Sequence, residues 1–443
     1  MPWRDLNKGS FQCPPLSAFD HEALLSQAKA ACKHLVVIAT TADSVPIDRI
    51  ALNNKTGRHA TFRKIKDTVD PSLEGVHAHT RVRAAIGEVA DFFHLNSQTK
   101  LEDYDHVMKD WVVKLTTLYT LVDRSNSIGG NKSLHSLSVI WKVTKMATTS
   151  PRDLCLLDYH DDFTFYDNAT GQVRRGWARC IHSIDLPCCP DLEERCGLKR
   201  TTVVRSGHVF IESSEPGELD YYKVHITVPR NDSFRHISEM FYRTMLKFYS
   251  SSMLKLEEHF IRKRIKPLLD LPVSRFPNKA DADYCLHCFA RFNWLTTRRQ
   301  CRICGDVTCN KCCVKWSIRL DTHKHAIKVD VCQECSSGDS KRDALGAKSS
   351  ATSSTILGPH SKRQGQRSCP ILERPQPARV SPSSELETFS SRASERVEQL
   401  KDVLGSQSSS NSSGDIIENF VLLLSPGRWR ESLQDKSVEA LPV

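Results

Sequence analysis

At 443 residues the chain is long enough for two or three domains. Its formal charge of +10, from 62 Lys and Arg against 52 Asp and Glu, is a mild basic bias that identifies no partner. No helix-turn-helix pattern, arginine-rich arm or histidine-containing DNA-reading finger occurs, so nucleic acid is not expected as a partner; no stretch approaches a membrane span, so any membrane contact is expected to be peripheral.

The start, MPWRDLNKGS, is polar and lacks an apolar core, so residues 1–20 read as a flexible N-terminus rather than a secretory leader. An odd total of 17 cysteines without such a leader indicates a reducing, cytoplasmic compartment. HEALLSQAKAACKHLVVIA, from His21, predicts a helix, and HATFRKIKDTV, from His59, an extended segment. In VHAHTRVRAAIGEVADFFHL, from Val76, a strand runs into a helix. The following signals are β: SLSVIWKV, DLCLLDYHDDFTFYDNATGQVRRGWARCIHSI, RTTVVRSGHVFIES and YYKVHITVPR. Alternation and turn residues such as Asp167, Asn168 and Gly171 favour hairpins, hence an antiparallel sheet.

A long helix closes this region, beginning near Pro229 and Asp232 and ending at Pro267. Phe234, Ile237, Phe241, Met245 and Phe248 form one apolar stripe, and Met240, Tyr249, Met253, Leu256 and Phe260 a second. A helix apolar over so wide an arc is expected to be enclosed by the sheet. Its methionines read as core filling ahead of cavity lining.

His160, His182, His208 and His225, with Asp158 and Asp161, fall on or beside predicted strands. They lack a nucleophile elbow, phosphate loop or HExxH helix, so a non-enzyme is expected.

This order of early strand and helix, antiparallel strands and long closing helix resembles a START domain. SPRDLCLLDYH, from Ser150, and SGHVFIESSEPGELDYYKVHITVPR, from Ser206, are similar to the family's central and late strands. The resemblance covers about residues 60 to 265 and sets a domain at 21–267. It implies an α+β helix-grip fold, an antiparallel sheet around the long C-terminal helix, with a lipid-sized tunnel. No side chain is carried over as a ligand contact.

Eight of the nine cysteines from Cys285 to Cys335 form four CxxC pairs: Cys285 and Cys288, Cys301 and Cys304, Cys309 and Cys312, Cys332 and Cys335. Two such pairs fill a tetrahedral Zn²⁺ site with sulfur and leave no open position, so four pairs imply two structural Zn²⁺ ions. Spacing alone leaves open which pairs share an ion.

The segment CLHCFARFNWLTTRRQCRICGDVTCNKCCVKWSIRLDTHKHAIKVDVCQEC resembles a FYVE finger, with CRxCG at Cys301 to Gly305, and sets a second domain at 268–340. The resemblance implies a small two-zinc cross-brace, the first pair sharing a metal with the third and the second with the fourth. It also implies binding of phosphatidylinositol 3-phosphate on endosomal membranes. The family's tryptophan-and-aspartate motif is replaced by Arg275, Phe276 and Asn278. In the basic patch Thr297, Arg299 and Gln300 replace an arginine and two histidines, and Asp330 replaces the arginine before the last pair. The phosphoinositide candidates are therefore Arg298, Arg299 and Arg302. Phe292, Trp294 and Leu295 share the neighbouring loop, and Trp294 and Leu295 correspond to the tip that such fingers insert into membranes.

From 341 to 443 the chain is Ser-rich, as in GSQSSSNSSGD, and reads as a disordered tail. Leu386, Phe389, Ala393, Val397, Leu400 and Leu404 recur at helical spacing within it, and FVLLL at Phe420 to Leu424 is a second apolar cluster.

The combined expectation is a zinc-binding, lipid- or membrane-associating adaptor, peripheral on endosomal membranes, with a tunnel for one lipid and a finger facing an anionic surface. The alternative is a protein-interaction module whose cross-brace binds a small GTPase or another protein without lipid. Ubiquitin transfer ranks third, because RING fingers normally use a histidine ligand.

Overall fold

The computed structural model describes residues 3–124, 134–145, 150–167, 171–228, 239–270, 273–319, 326–338 and 423–424. The chain begins with helix α1 (Ala18–Thr41), capped by the Ser17 hydroxyl, which accepts from the Asp20 N–H at 3.0 Å. Strands β1 (Arg49–Leu52), β2 (His59–Lys66) and β3 (Glu74–Arg83) follow, then α2 (Ile86–Phe93) and α3 (Gln98–Met108). Next come β4 (Val112–Val122), β5 (Ser136–Thr144), β6 (Arg152–Asp167) and β7 (Gln172–Ser183). A turn of helix, α4 (Glu193–Cys196), leads to β8 (Lys199–Arg200), β9 (Thr202–Glu212), β10 (Glu218–Val228) and α5 (Glu239–Ile265).

The main sheet runs β1-β2-β3-β10-β9-β7-β6-β5-β4, and every neighbouring pair along this path is antiparallel. Hydrogen bonding between Gly171 and Asp167 closes the expected β6–β7 hairpin, with Gly171 at φ +68°. The middle of that turn, with Asn168, lies outside the described residues.

Successive side chains on a strand point to opposite faces, so each central strand serves two cores. Val139, Trp141 and Val143 of β5 face α1, which contributes Leu35 and Ala39. On the other face Trp177, Phe210 and Tyr221 meet Phe93 of α2 and Leu256 and Phe260 of α5. Here Met253 is 1% exposed, as a core-filling methionine should be.

The long helix ends at Ile265, before Pro267, and tightens into a 3₁₀ turn, Lys266–Asp270. Proline denies the helix an N–H and crowds the preceding turn. The expected start at Pro229 and Asp232, Phe234 and Ile237, and the side chains of Met240, Phe241 and Met245 lie outside the described residues.

Two expectations need correction. The N-terminal residues expected to be flexible instead bury Leu6 and Phe11, and the Phe11 and Trp141 rings lie 5.0 Å apart. Two apolar anchors suffice where a groove already exists, although they make no periodic pattern. The cysteine count led to the expectation of a reducing compartment, yet Cys13 and Cys188 are joined by a disulfide that ties this segment to the loop after β7.

One glycine permits the close approach of β7 and β9. Gly207 has φ +151°, and a Cβ there would stand 1.9 Å from the Arg179 carbonyl oxygen. That oxygen belongs to a paired strand and cannot move aside. Gly207→Ala should cost about 2–5 kcal/mol from strain and overpacking together; a urea midpoint equal to that of the unaltered protein would disprove the account.

Beyond α5, β11 (Arg298–Gln300) pairs β12 (Val307–Cys309), and β13 (Cys313–Arg319) pairs β14 (Ala326–Cys332), followed by α6 (Gln333–Ser337). Trp316, Ile318 and Val331 of this small unit share an apolar cluster with Ile261 and Ile265 of α5. The last helical turns therefore belong to two cores at once. Of the tail, only β15 (Leu423–Leu424) is described, and it pairs with Phe163 and Thr164 on β6. The apolar stripe from Leu386 to Leu404 lies outside the described residues, as does the rest of the tail expected to be disordered.

Candidate metal centres, apolar tip and interior cavity

The eight paired cysteines converge as two clusters, Cys285, Cys288, Cys309 and Cys312, and Cys301, Cys304, Cys332 and Cys335. Within each cluster the four sulfurs lie within 4.8 Å of one another. Zn–S bonds of about 2.3 Å in a tetrahedron place sulfurs about 3.8 Å apart. The Cys288–Cys309 and Cys304–Cys332 separations are 3.7 and 3.8 Å. The ligand set therefore fits Zn²⁺, and first pairs with third, second with fourth.

Backbone N–H groups favour the ionised ligands. Cys309 N–H donates to the Cys285 sulfur at 3.2 Å and Cys332 N–H to the Cys301 sulfur at 3.3 Å. Burial raises the Cys285 thiol, but N–H donors from Cys288, Cys309 and His287 outweigh it and bring it down to about 6. A thiolate is the form that binds metal.

The loop between the first two pairs separates its apolar residues. Phe292 turns inward beside Cys285 and Val307, whereas Trp294 and Leu295 are 87% and 66% exposed. Asn293 shapes the tip, its side-chain oxygen accepting from the N–H groups of Leu295 and Thr296 at 2.9 and 2.8 Å. Leu286 and Phe289, on the first knuckle, are also exposed; sequence reasoning passed over them because they lie within and beside a ligand motif.

The three candidate arginines already have protein partners. Arg298 donates to the Ala282 carbonyl at 2.8 Å and lies over the Phe292 ring. Arg299 pairs with Asp330 at 2.9 Å. Arg302 donates to the Leu269 carbonyl at 2.5 Å and lies over Phe276. Asp330 thus both removes a positive charge from the patch and engages another.

A cavity of about 420 Å³ lies on the sheet face toward α5. Ile140, Leu154, Leu156 and Val203 supply an apolar wall. The lining also carries Lys223, Lys142, Arg179, Asp110 and His208, with Lys142 opposite Leu154 in the β5–β6 register. Arg179 makes a two-pronged pair with Asp158, 2.8 Å for each bond, and Asp158 also meets His160 at 3.1 Å. Tyr104 donates to Asp110 at 2.5 Å. Burial opposes ionisation of Asp110, but the charges of Lys223 and Lys142 outweigh it and hold the carboxyl well below the usual range.

Of the four histidines considered for catalysis, His208 and His225 line the cavity and His160 and His182 do not. His208 faces the Tyr221 hydroxyl at 2.9 Å and His225 that of Thr227 at 2.8 Å, both lining the cavity. Burial lowers His225 to about 4 and takes His208 down as well, so both are neutral at pH 7. His182 instead accepts from the Arg205 N–H at 3.3 Å, and Asp161 accepts from Tyr159 at 2.7 Å.

The sulfur arrangement has a counterpart in a known family: residues 275–340 match the family model of the FYVE zinc finger. This segment is a FYVE zinc finger. Human FYVE and coiled-coil domain-containing protein 1 is 32% identical over 78 residues, 16% of this chain and 5% of that protein. Human Rabankyrin-5 is 40% identical over 70 residues, 15% of this chain and 6% of that protein. The chain thus spans only a small part of either relative.

Among solved structures, human StAR-related lipid transfer protein 5 is similar over 54% of this chain and 99% of its own, at 17% identity and TM-score 0.35. Human STARD10 is similar over 57% and 86%, at 11% identity and TM-score 0.29. Within the FYVE finger, the ligand sulfurs and the tip were legible from spacing and resemblance. The cavity lysines were not, because a lysine on an alternating strand reads as a solvated face. No described helix is long and apolar enough to cross a membrane.

Proposed function

We propose that the chain is a non-catalytic, peripheral lipid-handling adaptor of three parts: a START-like domain over 21–267, the FYVE finger over 268–340 and a tail over 341–443. The first holds one lipid against the sheet beneath α5. The second docks on an anionic membrane, endosomal by analogy with its family. One observation carries the reading: Trp294 and Leu295 stand out at the tip of a metal-braced loop instead of packing inside it. Large apolar groups held in water beside basic residues suit the boundary between headgroups and acyl chains. Two weak contacts on one chain raise effective concentration and make marginal binding useful.

The engaged arginines favour general attraction to negative lipid over a fully formed phosphatidylinositol 3-phosphate pocket. Burying Trp294 and Leu295 contributes about 1.5–3 kcal/mol each, so their joint replacement by Ala should weaken partitioning by about a hundredfold or more. The test is co-sedimentation of the full chain with anionic vesicles, with and without phosphatidylinositol 3-phosphate, alongside metal analysis. Equal sedimentation of the variant and the unaltered protein would remove the membrane role and leave a finger that recognises protein, a small GTPase among the candidates.

A further inference from the structure

Lys223 presents an unsolved electrostatic problem in the cavity wall. Its side chain is 6% exposed, its ammonium has no hydrogen-bond acceptor among the described residues, and its nearest counter-charge, Asp110, is 3.8 Å away. It lies 4.1 Å from the centre of the Tyr249 ring, a contact that steadies a cation without accepting its protons. Lys142 lines the same space and has no ion pair among the described residues.

The fixed charges do not cancel. Arg179 is satisfied by Asp158, and Asp110 must serve both Lys223 and Lys142. Lys223, Lys142, Arg179, Lys109 and Arg152 stand against Asp110 and Asp158, so positive charge is in excess, with His208 and His225 neutral. A buried ammonium is tolerated when something completes its coordination. Ile140, Leu154 and Leu156 form an apolar patch beside Lys142, so the missing partner carries its own apolar part.

Size narrows the choice. Allowing roughly 30 Å³ per water-sized group, the cavity accommodates about fourteen non-hydrogen atoms. That suits one chain with a small head and not a two-chain phospholipid.

We propose that this cavity binds a single-chain amphiphile with an anionic head, the head on Lys223 and Lys142 and the chain along Ile140, Leu154 and Leu156. The inference rests on the lipid-holding role proposed above and adds the charge and number of chains. Carboxylate and phosphate heads share the required chemistry, as fatty acids and as singly acylated phosphates respectively.

The test titrates the full zinc-loaded chain by calorimetry with dodecanoate, dodecyl phosphate and dodecanol. At least one anionic probe should bind about tenfold or more tightly than the alcohol, since charge-assisted hydrogen bonds exceed neutral ones, and the tighter of the two identifies the head. In Lys142→Met/Lys223→Met the advantage should disappear with alcohol binding kept; in Lys142→Arg/Lys223→Arg it should persist. Alcohol binding as tight as that of the tighter anion in the unaltered protein would overturn the anionic head while leaving the lipid-holding role. Binding of none of the three would overturn both. The unaltered protein alone decides, so a misfolded variant does not rescue the idea.

Discussion

Stripping the metal with a strong chelator should unfold residues 285–335 and loosen the end of α5. A unit this small buries too little apolar surface to pay for its own ordering. Each closed sulfur site contributes an apparent 10–16 kcal/mol of binding energy that is at the same time folding energy. Trp316 is 1% exposed and shares its cluster with Ile261 and Ile265, so losing the ions should wet that indole and uncover the last turns of the helix. The measurements are metal content, with two Zn²⁺ per chain expected, tryptophan emission, and limited proteolysis before and after chelation. Protease resistance and an unshifted emission maximum in metal-free protein would sink the structural role of zinc.

Asp158→Ala should destabilise the larger domain by about 3–5 kcal/mol, the range for leaving a buried partner charge uncompensated. Asp158 takes two bonds from Arg179, itself 4% exposed, and one contact from His160. Against a total stability of about 5–15 kcal/mol, such a loss is enough to unfold a marginal domain. Adding Arg179→Met removes the stranded charge and should recover a large part of the loss, a non-additivity that a double-mutant cycle in urea measures. Additive losses would mean that the two groups do not depend on each other. The pair also flanks the cavity, so any ligand meets a wall whose rigidity depends on this bond.

Legibility differed sharply between the two domains. In the finger, ligand identity follows from residue type and spacing, because four CxxC pairs supply all eight ligands that two tetrahedral sites need. Their geometry was therefore open to inspection before any fold was known. In the larger domain the alternation of Val139, Trp141 and Val143 foretold strands, and Met253, Leu256 and Phe260 foretold a wrapped helix. The anchoring of Leu6 and Phe11 and the Cys13–Cys188 bond were not foretold, since isolated residues carry no period and a disulfide depends on where distant loops meet.

The sequence by itself determined that the chain carries paired sulfurs spaced to close two metal sites, builds an antiparallel sheet and ends it with a long helix, because these depend on local spacing and period. Tertiary structure alone decided that Trp294 faces water while Phe292 does not, that Asp330 engages Arg299, and that Lys142 and Lys223 line one cavity. Those properties arise from segments far apart in the chain meeting in space, and burial and electrostatic pairing are set only by that meeting.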